Sequence, residues 1–433
     1  MLIYSHINTP RTKYVLDLLF GSVLGLTYRF TDNRYVFEHS TEPRLAYTND
    51  RIGEGVFIRS HTLLSETGIS RQETDVFDWE DLPVFFKTAG DLPFDVFAAT
   101  FYLVTRYEEY FPHETDAFGR YQAKNSLAVQ HHFLQKAVIN RWAARLKKLL
   151  VSFYPSLAFQ TRQFKALLTI DIDVAFAFKG RSVKRNLLAS FNDLFHLRPG
   201  NIGSRLKCLL SGAHDPYDTY DNIIQSLKGS GIPLLVFFLL SQKNNAYDRN
   251  LPAGSSAMKS LLKKIAAVTE TGIHPSYFSS ERPQFITEEK KQLEQIIGKP
   301  VTKSRQHFLR FRLPDTFRHL EREGITDDYS MGYAELPGFR AGICTPFRFY
   351  DLMQEQVTGI TIHPITYMDG TFIEDMRLSP EEAISIGRRM IDEVRAVNGN
   401  FIAIWHNHTV SDKGIYKGWK AVYSSTIKQL KEK

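Results

Sequence analysis

From residue 165 onward, apolar runs of strand length alternate with amphipathic segments of helix length. No other feature of the chain restricts its fold as much. KALLTIDID (165–173) reads as a strand; YDNIIQSLKGSG reads as a glycine-terminated helix and leads into the strand PLLVFFLL. SSAMKSLLKKIAAVTETG is a long helix that precedes a short strand into Gly272-Ile273-His274. TEEKKQLEQIIG and LPDTFRHLEREG are helices, followed by VTKSRQHF and by Thr326–Tyr329. SPEEAISIGRRMIDEVRAV is a helix with Ser379 as N-cap and Pro380 at its first position, and FIAIWHNH is the last strand. Strands separated by helices imply a parallel sheet, and this many units favour a (β/α) barrel over an open sheet.

The first part of the chain has a different character. At 433 residues the expectation is two or three domains. We place a smaller α/β domain at 1–160 and the barrel at 161–433. KYVLDLLF, YVFEH and VFIRS look like short strands. Helices are expected over Phe94–Tyr110 and Phe133–Phe153. Arg106, Glu108, Glu109, Asp116 and Arg120 form a charged cluster suited to an internal ion-pair network at a helix-to-loop junction.

Composition excludes several classes. A hydrophobic content of 43% with 13% aromatics is ample for packed cores. Cys208 and Cys344 are too few for a disulfide framework or a cysteine metal site. The start MLIYSHINTPRTKYVL lacks the pattern of a signal peptide, and no run approaches the ~18 apolar residues of a membrane span, so a cytoplasmic protein is expected. The net charge of +7 is concentrated in an insertion at about 179–215. Over 179–207, Lys179, Arg181, Lys184, Arg185, Arg198, Arg205 and Lys207 are set against the single acid Asp193, with Leu187, Leu188, Phe191, Leu194 and Phe195 at helical spacing. Such a segment suits either a docked, solvated insertion or peripheral contact with an anionic membrane through 179–207. No nucleic-acid-binding module is recognisable.

The expected strand ends carry the chemistry. Asp171 and Asp173 end the first, His274 another, Arg305 and His307 a third, His406 and His408 the last. Residues two apart on a strand share a face, so each pair points to one side. In a barrel these groups meet at the C-terminal mouth, where active sites lie. Carboxylates with imidazoles form a ligand set for zinc or a related divalent ion.

With these residues in view, residues 165–433 resemble the polysaccharide deacetylases of carbohydrate esterase family four. The resemblance is carried by TIDID, GIHPSY, SRQHFLRF, GFRAG and WHN. It extends to a bacterial branch with an extra N-terminal module, which LPFDVFAATFYLVTRYEEY and GRY fit. It implies a distorted, incomplete (β/α) barrel that uses a divalent metal, zinc foremost, to remove N- or O-linked acetyl groups from a saccharide. The family's adjacent aspartates are here separated by Ile172. The resemblance implies Asp171 as base and Asp173 as ligand, with the reverse also open. His274 matches the first histidine of the second motif, but Phe278 occupies the place of the other, and His307 is the candidate replacement. Arg305 corresponds to the arginine that orients the base. His406 corresponds to the general acid, with Asn407 where Asp is frequent.

For substrate contact, the candidates are Arg340 between the glycines of GFRAG, Tyr277, and Trp405, for which packing is the competing role. Asp327, Asp328 and Asp369 read as structural, as does His363. Two other readings remain at this point. One is a glycosyltransferase using Asp171-x-Asp173 on a nucleotide-sugar; the other is a carbohydrate-binding relative with a decayed site.

Overall fold

The computed structural model describes every residue except 182–185, 189, 190, 192–198, 212, 243 and 433. The expected apolar stripe of the basic insertion therefore lies partly outside the described residues, at Leu194 and Phe195. Leu187, Leu188 and Phe191 are described and exposed, as are Leu206, Leu209 and Leu210 on the helix Pro199–Leu210. No described helix is long and apolar enough to cross a membrane.

The N-terminal strands β1 (Leu2–Tyr4), β2 (Arg29–Thr31), β3 (Arg44–Thr48) and β4 (Val56–Arg59) form a parallel sheet in the order β2-β1-β3-β4. Strands β5 (Phe77–Trp79) and β6 (Leu82–Val84) form a separate antiparallel pair. Two of the three expected strands in this region are helical. KYVLDLLF lies in the helix Pro10–Leu16, which continues as π-helix over Asp17–Leu24. Thr9 caps that helix by accepting from the Thr12 amide, and Pro10 opens it. YVFEH is the Asn33-capped helix Arg34–Glu38. A short apolar run has no periodicity that separates strand from buried helix, and here the caps decided. The expected helix 94–110 runs only over Val96–Val104, because Arg106 enters the left-handed region (φ 54°). The next expected helix spans Val138–Phe153.

The main sheet contains β7 (Lys165–Ile172), β8 (Leu234–Phe238), β9 (Glu270–Ile273), β10 (Lys303–Ser304), β11 (Asp327–Asp328), β12 (Phe347–Asp351), β13 (Gln356–Ile362), β14 (Tyr367–Met368) and β15 (Asn400–His406). Their order is β12-β13-β11-β10-β9-β8-β7-β15-β14. Every neighbouring pair is parallel except β12–β13. The sheet is thus α/β and mainly parallel, as the alternation requires. It does not close by hydrogen bonding among the described residues: the ends are the two-residue β14 and the antiparallel β12, which offer no matching edges.

Alternation along each strand separates two apolar layers. Ile170 and Ile172, Val236 and Phe238, and Ala403 and Trp405 belong to a large cluster that also includes Ile3, Trp142 and Leu430, so one core serves both sheets. Leu235, Phe237, Ile402 and Ile404 form a smaller cluster on the opposite face. His406 continues the second face after Ile402 and Ile404, and Asp171 continues it after Leu167 and Thr169. The polar strand ends therefore sit on top of the smaller layer.

Buried charge joins the N-terminal part to the rest. Arg340 donates through Nε and Nη2 to both carboxylate oxygens of Glu109 (2.8 and 2.6 Å), while Arg106 also bonds Glu109 (2.7 Å) and donates to the Arg340 carbonyl. Burial would push the Glu109 carboxyl up, but Arg340 and Arg106 overcome it and hold it at about 2. This folded-state value lies below the ordinary 4.5, so the stabilisation is complete above about 4.5 and is lost as pH falls towards 2. Arg340→Met leaves Glu109 buried with half its partners and should cost about 3–5 kcal/mol in urea unfolding. Its deficit relative to wild type should shrink as the pH is lowered through that window.

Candidate metal centre and cleft

Six neighbouring strands, β10-β9-β8-β7-β15-β14, deliver the site from their C-terminal ends. In register, His406 lies beside Asp171, and Ile273, just before His274, lies beside Ser304, just before Arg305. Ile172 is fully buried in the core, which turns Asp171 and Asp173 to the same side. The resulting cleft, about 340 Å³, is lined by Asp171, Asp173, His274, His307, His406 and His408 among others. That volume is at the small end of ordinary ligand sites.

Asp173 is the centre of the group. Its Oδ1 is 3.2 Å from His274 Nε2, and its Oδ2 is 3.5 Å from His307 Nε2 and 3.4 Å from His406 Nε2. The ligand atoms of Asp173, His274 and His307 all lie within 4.8 Å of one another. Each imidazole is oriented from its far side. His274 Nδ1 donates to the Arg305 carbonyl (2.6 Å), His307 Nδ1 to Asp248 Oδ1 (2.9 Å), and His406 Nδ1 to Asp369 Oδ1 (2.6 Å). With Nδ1 bonded from behind, His274 and His307 turn Nε2 to the cleft, where it can serve a cation once it carries no proton, the arrangement found around metal-binding histidines; His406 turns Nε2 to the cleft as a proton donor.

One atom tests whether a metal fits. Asp173 Oδ1 is buried and accepts no hydrogen bond, although His274 Nε2 is so close. A carboxylate oxygen facing an imidazole lone pair is repulsive unless a cation or a proton lies between them. Asp173, His274 and His307 therefore fit a divalent cation, with the carboxylate and imidazole donors that zinc accepts.

Burial opposes the Asp173 carboxylate, yet the neighbouring imidazoles, His307 foremost, more than reverse this and hold it well below the ordinary range. Burial likewise opposes charge on His307, but Asp173 and Asp248 raise it to about 9. His406 behaves alike: burial is outweighed by Asp369 and Asp173, which hold it well above its usual value. His408 goes the other way, lowered to about 4 by burial and then by His406.

Asp171 has a different environment. Its Oδ1 accepts from Arg305 Nη1 at 2.7 Å, while Oδ2 is 3.7 Å from His274 Nε2. Arg305 is fully buried and is also bonded to Thr169 Oγ1 (2.7 Å) and the Tyr329 carbonyl (3.0 Å). Its guanidinium lies over the Phe237 ring (4.5 Å), and its Nη2 has no hydrogen-bond partner among the described residues.

The structure thus brings together Asp171, Asp173, His274, Arg305, His307 and His406. It does not bring the expected substrate contacts to the cleft. Arg340 is buried in the Glu109 network. Trp405 is fully buried on the opposite face of β15, edge-on to Tyr423. Tyr277 is buried, stacks on Tyr247 at 3.9 Å, and donates to the Phe118 carbonyl. His363 pairs with Asp327, and Asp328 accepts from Ser304 and Ser330. Asp369, read as structural, is the carboxylate behind His406. Asp248 was not singled out at all; it lies in the segment after β8, where only its place beyond a strand end could have drawn attention.

Comparison with known proteins adds the following. The model described as a family of unknown function (DUF7033) matches residues 1–155. No curated protein matches the chain. Among solved structures, the chain is similar to a protein from Mycobacterium smegmatis described as a polysaccharide deacetylase. The TM-score is 0.42 and the identity 14%, over 63% of this chain and 85% of that one. It is similar to an allantoinase with TM-score 0.38 and 10% identity, over 62% of this chain and 84% of that one. It is also similar to a de-N-acetylase from Aggregatibacter actinomycetemcomitans with TM-score 0.23 and 13% identity, over 39% and 88% of the respective chains.

The value of about 9 for His307 fixes how metal affinity should depend on pH. Below that value a cation must displace the His307 proton, so zinc binding releases protons and weakens as pH falls. Calorimetric zinc titrations at pH 7 in two buffers of different ionisation enthalpy should report release of about one proton or more. Asp173→Ala should abolish stoichiometric binding.

Proposed function

We propose that this chain is a metal-dependent hydrolase that removes acetyl groups, N- or O-linked, from a saccharide. The observation that carries the reading is the Asp173 carboxylate, whose buried, unpaired Oδ1 faces His274 and whose Oδ2 faces His307 while both rings are fixed from behind. Beside them stands a further histidine with its own carboxylate behind it, His406–Asp369, whose Nε2 is 3.4 Å from Asp173 Oδ2. The sequence resemblance to polysaccharide deacetylases supplies the substrate class, and N-terminal residues 1–160 are read as an accompanying module.

A divalent cation held by Asp173, His274 and His307 would lower the pKa of a water and polarise the acetyl carbonyl. The remaining steps belong to the chain. Arg305 neutralises and orients Asp171 through Oδ1, leaving Oδ2 to take a proton from the attacking water. The water oxygen bonds to the acetyl carbon. His406, kept protonated by Asp369 and Asp173, donates from Nε2 to the leaving nitrogen or oxygen as the C–N or C–O bond breaks. Acetate and the deacetylated sugar leave; the proton on Asp171 passes to His406 and restores the acid, and the second proton of the attacking water goes to solvent as the acid product ionises to acetate.

The arrangement disfavours the alternatives. A transferase using Asp171-x-Asp173 as a metal-binding pair needs both carboxylates, but Arg305 already engages Asp171. A purely binding protein has no use for the charged His406–Asp369 pair aimed at the cleft.

Acetate release from acetylated oligosaccharides by the zinc-loaded protein should disappear with chelator and return with zinc. Asp171→Asn should retain zinc yet lower kcat by about 10²–10⁴, and His406→Ala should lower it similarly. Acetate release that is indifferent to both chelator and Asp173→Ala would refute the mechanism.

A further inference from the structure

The cleft wall beside His307 contains a residue from the N-terminal part of the chain. Phe118 lies in the turn 115–121, in which Thr115 bridges to Tyr121 and Gly119 takes a left-handed conformation (φ 71°). Asp116 Oδ1 accepts from the amides of Phe118 and Arg120 (both 2.9 Å), and Oδ2 accepts from Arg120 Nε (2.6 Å). The turn is therefore organised internally before it meets the rest of the molecule.

Three bonds then fix it to the site-bearing half. The Phe118 carbonyl accepts from Arg310 Nε (2.7 Å) and from Tyr277 Oη (3.0 Å), and Arg120 Nη1 donates to the Phe308 carbonyl (3.1 Å). Space at the joint is tight: a Cβ on Gly119 would meet Arg310 Nη2 at 3.3 Å. At the other side of the joint, Phe308 and Leu309 are both left-handed (φ 61° and 54°), an uncommon conformation for such residues. Consecutive strained residues persist where the surroundings hold them, and they gather at functional sites.

The result is a continuous aromatic surface. The Phe118 and Phe308 rings stack at 4.9 Å, Tyr247 meets both edge-on (6.3 and 6.0 Å), and Phe308 lies 4.4 Å from the His307 ring. Phe118, Tyr247 and Phe308 all line the cleft and remain partly exposed. These rings border the open space of the cleft beside His307.

We propose that the turn 115–121 completes the substrate site. Phe118, with Phe308 and Tyr247, takes the C–H face of a pyranose ring adjoining the acetylated sugar, so the N-terminal part determines which saccharide is held. The inference rests on the hydrolase reading above and adds to it the place and chemistry of a sugar subsite. The C–H face of a pyranose is apolar, and its contact with aromatic rings gains dispersion and removes both from water. Phe118 acts by holding substrate and takes no part in bond breaking.

The test uses the full zinc-loaded chain with N,N′,N″-triacetylchitotriose and acetylated xylotriose, and 4-nitrophenyl acetate as a substrate without a sugar. Phe118→Ala should raise KM for whichever saccharide is turned over by tenfold or more, with kcat changed less than twofold. Phe118→Trp should restore KM, and zinc stoichiometry should match wild type in both. An unchanged KM in Phe118→Ala overturns the subsite while leaving the hydrolase intact. A fall in kcat together with loss of zinc shows a structural role and also overturns it. Zinc-dependent cleavage of 4-nitrophenyl acetate by wild type, with neither saccharide cleaved, overturns the sugar subsite alone. No zinc-dependent cleavage of any of the three substrates removes the hydrolase reading and this inference with it.

Discussion

Arg305 ties the site together. Its side chain bonds Asp171 and Thr169 on β7 and the Tyr329 carbonyl beyond β11, and lies over Phe237 of β8. Its own carbonyl fixes the ring of His274 beyond β9. One fully buried cation thus connects β7, β8, β9, β10 and β11 at their C-terminal ends. A charge in that position is tolerable only because a carboxylate, a hydroxyl, a carbonyl and a ring face surround it. The same contacts sort the two aspartates. Asp171 is engaged by Arg305, and Asp173 is left to the imidazoles.

The fold was legible where periodicity was long. The helix Pro380–Ala396 begins where Ser379 and Pro380 indicate, and Glu382 closes a capping box with Ser379. The strands β7, β8 and β15 were evident because each is a buried apolar run followed by polar residues. The pairing of β12 with β13 was not visible, since FRFYD and QVTGITI have mixed burial and no strong turn signal between them. Nor was the nature of KYVLDLLF, whose eight residues suit either structure. Closure of the sheet could not be read from the number of units, because it depends on the edges that the terminal strands present.

The site was legible to the extent that its groups stand at strand ends. Asp171, Asp173, His274, Arg305, His307 and His406 could be placed from alternation and order alone. The groups behind and beside them could not. Asp248 and Asp369 hold His307 and His406 from segments whose positions in space depend on the whole fold. Residues chosen for their type lie away from the cleft lining. Arg340, Tyr277 and Trp405 are large and polar or aromatic, and each is buried: Arg340 on Glu109, Tyr277 with its hydroxyl on the Phe118 carbonyl, and Trp405 in the core, its Nε1 without a hydrogen-bond partner among the described residues.

The relation between the two parts of the chain follows from the same bonds. Arg340 belongs to the site-bearing half, yet its carboxylate partner, Glu109, is N-terminal. Arg310 and Tyr277 lie in the site-bearing half and donate to Phe118 in the N-terminal turn. Without residues 1–160, Arg340 would keep, among the described residues, the Gly332 carbonyl as a hydrogen-bond partner and the ring faces of Phe311 and Tyr333, with no carboxylate. The 308–309 backbone would lose Arg120, and the cleft would lose a wall. Buried charges that are satisfied only across a boundary make the boundary costly to open. The N-terminal part is therefore better understood as one side of the site than as a neighbour attached to it.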